Sequence, residues 1–334
     1  MKKNILFIIL LMAIASMARA NDGKVILQSK GTVKFFDSSK VGDAIAAAVE
    51  GDTIDLASGS FGYGFTIDKN ILLRGRSADP NGSISYTRVT DDVSVTSTCT
   101  IEGIYFYYDV NVKKSAPGLR ISSCAIRNLT FAEDMPGMTI ERSWIRDHMC
   151  LNNLKSKDIN VNNCKIYYLY GGNNDSRSCT FRNCNISNVY SYQDGKQYTY
   201  VDKFINCILE SNYDYSYGID GAVISNVEVN CLWHVDGWGE TQSVSRYNFN
   251  ENDGKSYLFS SPSYGTCAYT KEELIEKGYL GTDGTVVGVE GGAYPYSLTP
   301  LNTQITTSTL TVDETTKKVT ADVEVNVKGR CITL

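Results

Sequence analysis

The sequence predicts an all-β chain built as a right-handed parallel β-helix, with a short capping helix near its N-terminus and a small β-strand segment at its C-terminus. Three observations predict it. A short phrase recurs about every 22 residues, an apolar side chain follows it at a fixed offset, and asparagine repeatedly precedes it.

The phrases are Cys99-Thr-Ile, Cys124-Ala-Ile, Ser143-Trp-Ile, Cys164-Lys-Ile, Cys184-Asn-Ile, Cys207-Ile-Leu and Cys231-Leu-Trp, at intervals of 25, 19, 21, 20, 23 and 24 residues. With the Cys or Ser as position zero, position +2 holds Ile101, Ile126, Ile145, Ile166, Ile186, Leu209 and Trp233. Position +5 holds Ile104, Leu129, Leu169 and Val189, and position −3 holds Ile121, Ile140, Val161, Phe181 and Phe204. Thr96 and Glu228 stand at −3 in the first and last coils, where the pattern is weakest. Alternation from zero to +2 is a strand signal, and the odd step from −3 to zero demands a bend. Asn163, Asn183, Asn206 and Asn230 fill −1, and asparagine tolerates the left-handed backbone that a sharp corner needs. Strand, corner and strand, repeated, describe one coil of a solenoid.

The stack begins before these phrases. Ala44 to Val49 reads as a short amphipathic helix able to plug the open end of the solenoid, Gly51–Leu56 as the first coil and Ile67–Gly75 as the next. After Trp238 the repeat fades into a looped segment. Thr270-Lys-Glu-Glu273 is a capping box that opens a short helix through Lys277, closed by Gly281 to Gly284. Thr309–Val312 and Val319–Val327 alternate as two strands joined at 313–317.

Ahead of all this, Lys2 and Lys3, an apolar run from Ile5 to Ile14 and Ala18-Arg-Ala20 form the pattern of an export signal. The expected layout is a signal peptide over 1–20, a β-helix domain with its end cap over 21–300, and a strand segment over 301–334. That segment is either a pair packed on the solenoid end or the beginning of a further domain. Losing Lys2, Lys3 and Arg19 takes the formal charge from −5 to −8, which argues against nucleic acid or an anionic membrane as partner. The apolar run is too short to leave a membrane span in the mature chain. The expected location is therefore secreted, periplasmic or at the cell surface. Most of the ten cysteines sit inside the repeated phrase and read as buried free thiols, which leaves Cys150, Cys179, Cys267 and Cys331 as disulfide candidates, Cys179 with Cys184 among the pairings considered.

The stretch Ala44-Ile-Ala-Ala-Ala-Val-Glu-Gly51-Asp-Thr-Ile-Asp-Leu-Ala-Ser-Gly59, with Lys69-Asn-Ile-Leu-Leu-Arg-Gly75, resembles the opening of secreted pectate-lyase-like β-helix proteins. It is similar above all to the branch with chondroitinase-B-type and alginate lyases and to uncharacterised exported proteins of Bacteroides-like bacteria. Val287-Gly-Val-Glu-Gly-Gly-Ala-Tyr-Pro-Tyr296 resembles the closing phrase of the latter. The resemblance covers about residues 40–300 and implies either glycan lyases or β-helices without catalysis. In the lyases, outward Lys or Arg residues act on a uronate, often with calcium held by acidic residues.

Two functional readings follow. In one, the chain is a non-catalytic scaffold meeting a polysaccharide or cell-surface glycan through stacked aromatics at Tyr170, Tyr190, Tyr213 and Trp238, although such a stack also serves simply to staple a corner. In the other it is a lyase acting on a uronic-acid-containing glycan. Arg127, Arg146 and Tyr167 then stack at +3 with Lys165 at +1, arginine gripping the carboxylate and Lys165 or Tyr167 acting as base, with calcium as a possible cofactor. No other cofactor and no dedicated metal site is indicated. His148 and His234 lie four coils apart, roughly 19 Å at 4.8 Å per coil, and cannot share a metal. Acidic charge, two histidines and the lack of a recognisable catalytic set favour the scaffold.

Overall fold

The computed structural model describes residues 24–327 apart from 83, 152–153, 155–157, 171–178, 191, 194–195, 198–202, 212–227, 236–244, 249–253, 256, 302 and 314–317. The signal segment, Cys331, Tyr213 and Trp238 lie outside the described residues. The chain forms a parallel β-solenoid with three strand stacks around a continuous apolar core that runs from Val25 to Cys231.

The first sheet stacks Thr53–Leu56, Leu72–Arg74, Thr100–Glu102, Arg120–Ser122, Thr139–Glu141, Ile159–Asn162, Cys179–Arg182, Lys203–Ile205 and the start of Glu228–Val235. Its inward column is Ile54, Leu73, Ile101, Ile121, Ile140, Val161, Phe181 and Phe204, all fully buried. The second sheet carries Phe61, Val89, Phe106, Ile126, Ile145, Ile166, Ile186 and Leu209 inward, and the third carries pairs such as Val93/Val95 and Val110/Val112. Each row puts an apolar side chain directly on its counterpart one coil away, so the repeat is the core.

The corner between the first two sheets has the expected backbone. Ser123, Arg142, Asn163, Asn183 and Asn206 all adopt left-handed φ, between 50° and 56°. The register corrects the reading of the first coil. Ile101 pairs with Ile121, not with Ile126, so the Cys99 phrase belongs to the first sheet. The true corner of that coil is Gly103 (φ 67°), followed by Ile104, which stacks above Cys124 and is not a +5 residue. Thr96 likewise lies just beyond the third-sheet strand Val93–Val95.

At position zero the thiol has a backbone partner. The N–H of −1 reaches the carbonyl of the next coil and the N–H of +1 reaches that of the preceding one, as at Asn163→Arg182 and Lys165→Ser143. The N–H of zero between them finds a side chain: Cys184 N donates to Cys207 Sγ and Cys207 N to Cys231 Sγ, both at 3.4 Å. Ser143 does the same for Cys124 at 3.1 Å, which is why serine can replace cysteine there. The nine described cysteines are free thiols. Cys150, Cys179 and Cys267 therefore form no disulfide, and Cys179 stacks on Ile159 in the first sheet while Cys184 sits beyond the corner.

The N-terminal cap holds more than the expected helix. A hairpin of Lys24–Ser29 and Thr32–Asp37 pairs antiparallel onto Thr53–Leu56 and covers the edge of the first sheet. The helix, α1, spans Val41–Ala47, three residues earlier than read, and buries Val41, Ala44 and Ile45 on the core. Lys69 Nζ donates to the carbonyls of Ile45, Ala46 and Ala48 (2.8–2.9 Å), neutralising the helix C-terminus. A second helix, α2 (Lys271–Glu276), starts at the Thr270/Glu273 capping box. Thr303–Asp313 and Lys318–Val327 form a separate antiparallel hairpin.

The core predicts its own fragility. Ile166→Asp places an unpaired charge inside the stack and abolishes the cooperative melting transition, whereas Ile166→Val costs about 1 kcal/mol. A wild-type melting temperature in the Asp variant would refute this register. Burial pushes the Cys99 and Cys124 thiols up to about 12. A folded pKa above the unfolded value, about 8.5, gives stability that is complete below that value and lost as pH rises toward 12. Melting temperature is expected to fall across that window, and iodoacetamide to label these thiols at pH 8 only after unfolding.

Candidate functional site

The outward residues of the second sheet are where the sequence places its Arg and Lys candidates. The column at +1 runs Arg88, Tyr105, Ala125, Trp144, Lys165 and Asn185, and the next outward position carries Arg127, Arg146 and Tyr167. This face is not open. A strap over residues 258–300 runs back along the solenoid and is bonded to it at successive coils. Asn163 Nδ2 donates to Gly291 O at 2.8 Å, Asn185 Nδ2 to Gly265 O at 3.0 Å, Ser187 Oγ to Pro262 O at 2.7 Å and Arg142 Nη2 to Thr299 O at 3.1 Å. Tyr264 packs on Trp144 at 5.2 Å, and the indole N–H donates to Ser263 O. Leu298 seals Ala125.

The strap decides what each candidate can do. Lys165 Nζ lies 4.6 Å from the Tyr296 ring centre, and burial lowers its pKa while Glu290 and Asp79 oppose that shift. Arg146 Nη2 donates to the carbonyls of Phe106 and Tyr107 (2.8 and 2.9 Å), with its guanidinium 4.5 Å over Tyr105, in the space that small Ala125 leaves. Nη2 is thereby committed to the scaffold, whereas the buried Nε has no hydrogen-bond partner among the described residues. Arg127 keeps half of its side chain exposed, with Asp147 at 3.9 Å. Tyr167 accepts a hydrogen bond from the Tyr168 hydroxyl at 2.9 Å. The structure thus brings Arg127 and Arg146 together and sets Lys165 apart beneath Tyr296.

Beside Arg127 is a polar and aromatic corner that the sequence indicated only in pieces. Asp92, Asp109, Asn128, His148, Tyr168 and Asn188 occupy one place in successive coils, just before the third sheet. Asn128 Nδ2 donates to Asp109 at 2.8 Å, and Asn128 Oδ1 accepts from the His148 backbone at 3.1 Å. His148 Nδ1 lies 3.1 Å from Asn128 Oδ1 and 3.2 Å from Asp147 Oδ1. The imidazole stacks on Tyr168 at 5.2 Å and leans on Tyr170 at 5.1 Å, and Tyr167 meets Tyr168 at 3.9 Å. Tyr170 and Tyr190 pair on adjacent coils, as their shared +6 position implies. Higher up, Tyr107 and Tyr108 are exposed and Arg88 lies 4.4 Å over Tyr107. Sequence reasoning missed Arg88, Tyr105 and Tyr107. Their signal was the alternation in Tyr105-Phe-Tyr107, hidden by the misplaced first coil.

Among the described residues, no group of three or more His, Cys, Asp or Glu side chains is placed to hold a metal ion, and no helix is long and apolar enough to cross a membrane. No family model, no curated protein and no solved structure matches this chain.

Trp144→Ala removes a ring contact and an indole hydrogen bond that hold the strap. The expected loss is about 2–3 kcal/mol, with faster proteolytic cutting between residues 258 and 300 than elsewhere. Unchanged cutting there would mean that the strap does not depend on this contact.

Proposed function

We propose that the chain is an exported, pectate-lyase-like β-helix that meets a polysaccharide or cell-surface glycan at its aromatic corner, and that this corner binds without cleaving. The observation that carries the reading is the contiguous ring surface of Tyr167, Tyr168, Tyr170 and His148 beside a half-exposed Arg127. Ring faces displace water from the C–H faces of sugars while phenol hydroxyls, Asn128 and Asp147 meet sugar hydroxyls. Arg127 adds a cation for an acidic sugar. Stacking at 5 Å also staples the corner, and the two roles are compatible because a stack has an outer face.

The lyase alternative needs a base that reaches substrate and an arginine free to grip a uronate, with or without calcium. Lys165 under Tyr296 and Arg146 bonded to two carbonyls weigh against it. The net charge of −5 weighs against nucleic acid as the partner.

Binding of a glycan panel by calorimetry tests the reading. Tyr170→Ala and Tyr167→Ala are expected to weaken the bound glycan at least tenfold, about 1.4 kcal/mol, with secondary structure unchanged. Arg127→Gln is expected to weaken acidic glycans only. Wild-type affinity in the Tyr167/Tyr170 double variant would move the site elsewhere. Unsaturated uronic product that vanishes in Arg146→Ala and Lys165→Ala would replace this reading with the lyase.

A further inference from the structure

Three guanidiniums gather around one exposed tyrosine of the second sheet, and little in the protein answers their charge. Arg88 Cζ lies 4.4 Å and Arg146 Cζ 5.9 Å from the centre of the Tyr107 ring. Since Phe106 pairs with Ile126, Arg127 stands beside Tyr107 one coil on, about 5 Å away at the backbone. Tyr107 and Arg127 are both exposed. Among the described residues Arg88 makes no hydrogen bond and no ion pair, and its guanidinium rests only on the Tyr107 ring. Arg127 has a single carboxylate in range, Asp147 at 3.9 Å, too far for a hydrogen bond. Arg146 places Nη2 on two carbonyls and leaves Nε without an acceptor.

Two independent signs say that an acceptor is missing here. Three buried side-chain polar atoms among the described residues lack a hydrogen-bond partner, and two of them are Arg88 Nε and Arg146 Nε. A buried donor in that state costs about 1–3 kcal/mol. The second sign is repulsion. Burial lowers the Arg146 pKa most, the like charges of Arg127 and Arg88 lower it further, and the Tyr105 and Tyr107 phenols oppose them. Arginine stays charged regardless, so the cluster remains an uncompensated cation in a chain whose net charge is −5.

The charge count selects the ligand. Three guanidiniums against one carboxylate, Asp147, leave a surplus of two positive charges. A uronate or a sulfate ester brings one negative charge. A phosphate monoester brings nearly two at neutral pH, with three terminal oxygens that accept strongly. Paired guanidinium N–H groups match such oxygens in geometry as well as charge. We propose that Arg88, Arg127 and Arg146 form a phosphate-monoester site around Tyr107. Arg88 and Arg127 donate to the terminal oxygens from guanidiniums that no hydrogen bond holds elsewhere. Arg146 adds its charge and its unpartnered Nε, and the Tyr107 ring positions Arg88 by cation–π contact.

The site shares Arg127 with the corner reading but does not need that reading. Calorimetry on the full chain at neutral pH tests it, with glucose 6-phosphate, inorganic phosphate, glucose 6-sulfate and glucuronate as probes. Glucose 6-phosphate is expected to bind at least ~10-fold more tightly than the sulfate ester or the uronate. Arg88→Gln, which breaks no hydrogen bond among the described residues, is expected to weaken it at least ~10-fold with melting temperature unchanged. Arg88→Lys, which keeps the charge but not the paired donors, should fall between the two. Inorganic phosphate bound as tightly as the ester assigns the site to the free ion, and a clear preference for the ester assigns it to a phosphorylated sugar. No binding of either phosphate probe, equal affinity for the sulfate ester, or wild-type affinity in Arg88→Gln would each overturn the site. Glycan binding lost in the Tyr167/Tyr170 double variant while no phosphate binds sinks the phosphate site alone. Phosphate bound while glycan affinity is unchanged in that variant sinks the corner alone.

Discussion

The structure depends on one corner, the left-handed residue before position zero. A positive φ there reverses the direction of the backbone groups between two strands of the same coil. The ladder satisfies the N–H on either side, one toward each neighbouring coil, and leaves the N–H at zero pointing into the core. A buried donor without a partner costs about 1–3 kcal/mol, so the neighbouring coil is called on for an acceptor that is also small enough for the core. Cysteine and serine are the residues that meet both demands, which is why the repeat is written in Cys and one Ser. The thiols are hydrogen-bonding parts of the core, and this accounts for a row of cysteines that form no disulfide.

The same constraint explains what could be read and where the reading slipped. The corner asparagines, the inward columns and the capping box are local, and the sequence states them directly. Cys99-Thr-Ile copies the letters of the phrase but lies in the first sheet, whereas the corner of that coil is Gly103-Ile104, where glycine meets the φ demand without Asn or Cys. Reading letters in place of the conformational requirement moved Glu102 out of the column it shares with Ser122 and Glu141. The N-terminal hairpin was missed for a different reason: its partner is chosen by the need to cover a sheet edge, which no local pattern records.

The strap was hidden more deeply. Most of its bonds join residues 75 or more positions apart, and most end on backbone carbonyls, which every residue has. Only its glycines gave a sign. A Cβ at Gly291 would collide with the Val286 carbonyl and come within 2.8 Å of Asn183 Nδ2, while Gly288 and Gly292 need left-handed backbone. The closing phrase Val287-Gly-Val-Glu-Gly-Gly292 is thus the price of laying one backbone flat on an asparagine ladder.

Coverage then divides the surface. The hairpin and α1 occupy one end of the solenoid, and the strap occupies the outer face of the second sheet, taking Trp144 and Lys165 with it. Among the described residues, partly exposed polar and aromatic side chains remain on the outer face of the first sheet and at the corner before the third. The two are chemically unlike. The corner offers rings, amides and the carboxylates of Asp92, Asp109 and Asp147 with one loosely paired arginine, the composition on which the proposed glycan contact rests. The first sheet offers charges in a column, where parallel stacking fixes the spacing of their backbone positions to a multiple of the coil rise. On that face Glu102 makes no ion pair among the described residues, while Arg120 pairs with Glu141 two coils away.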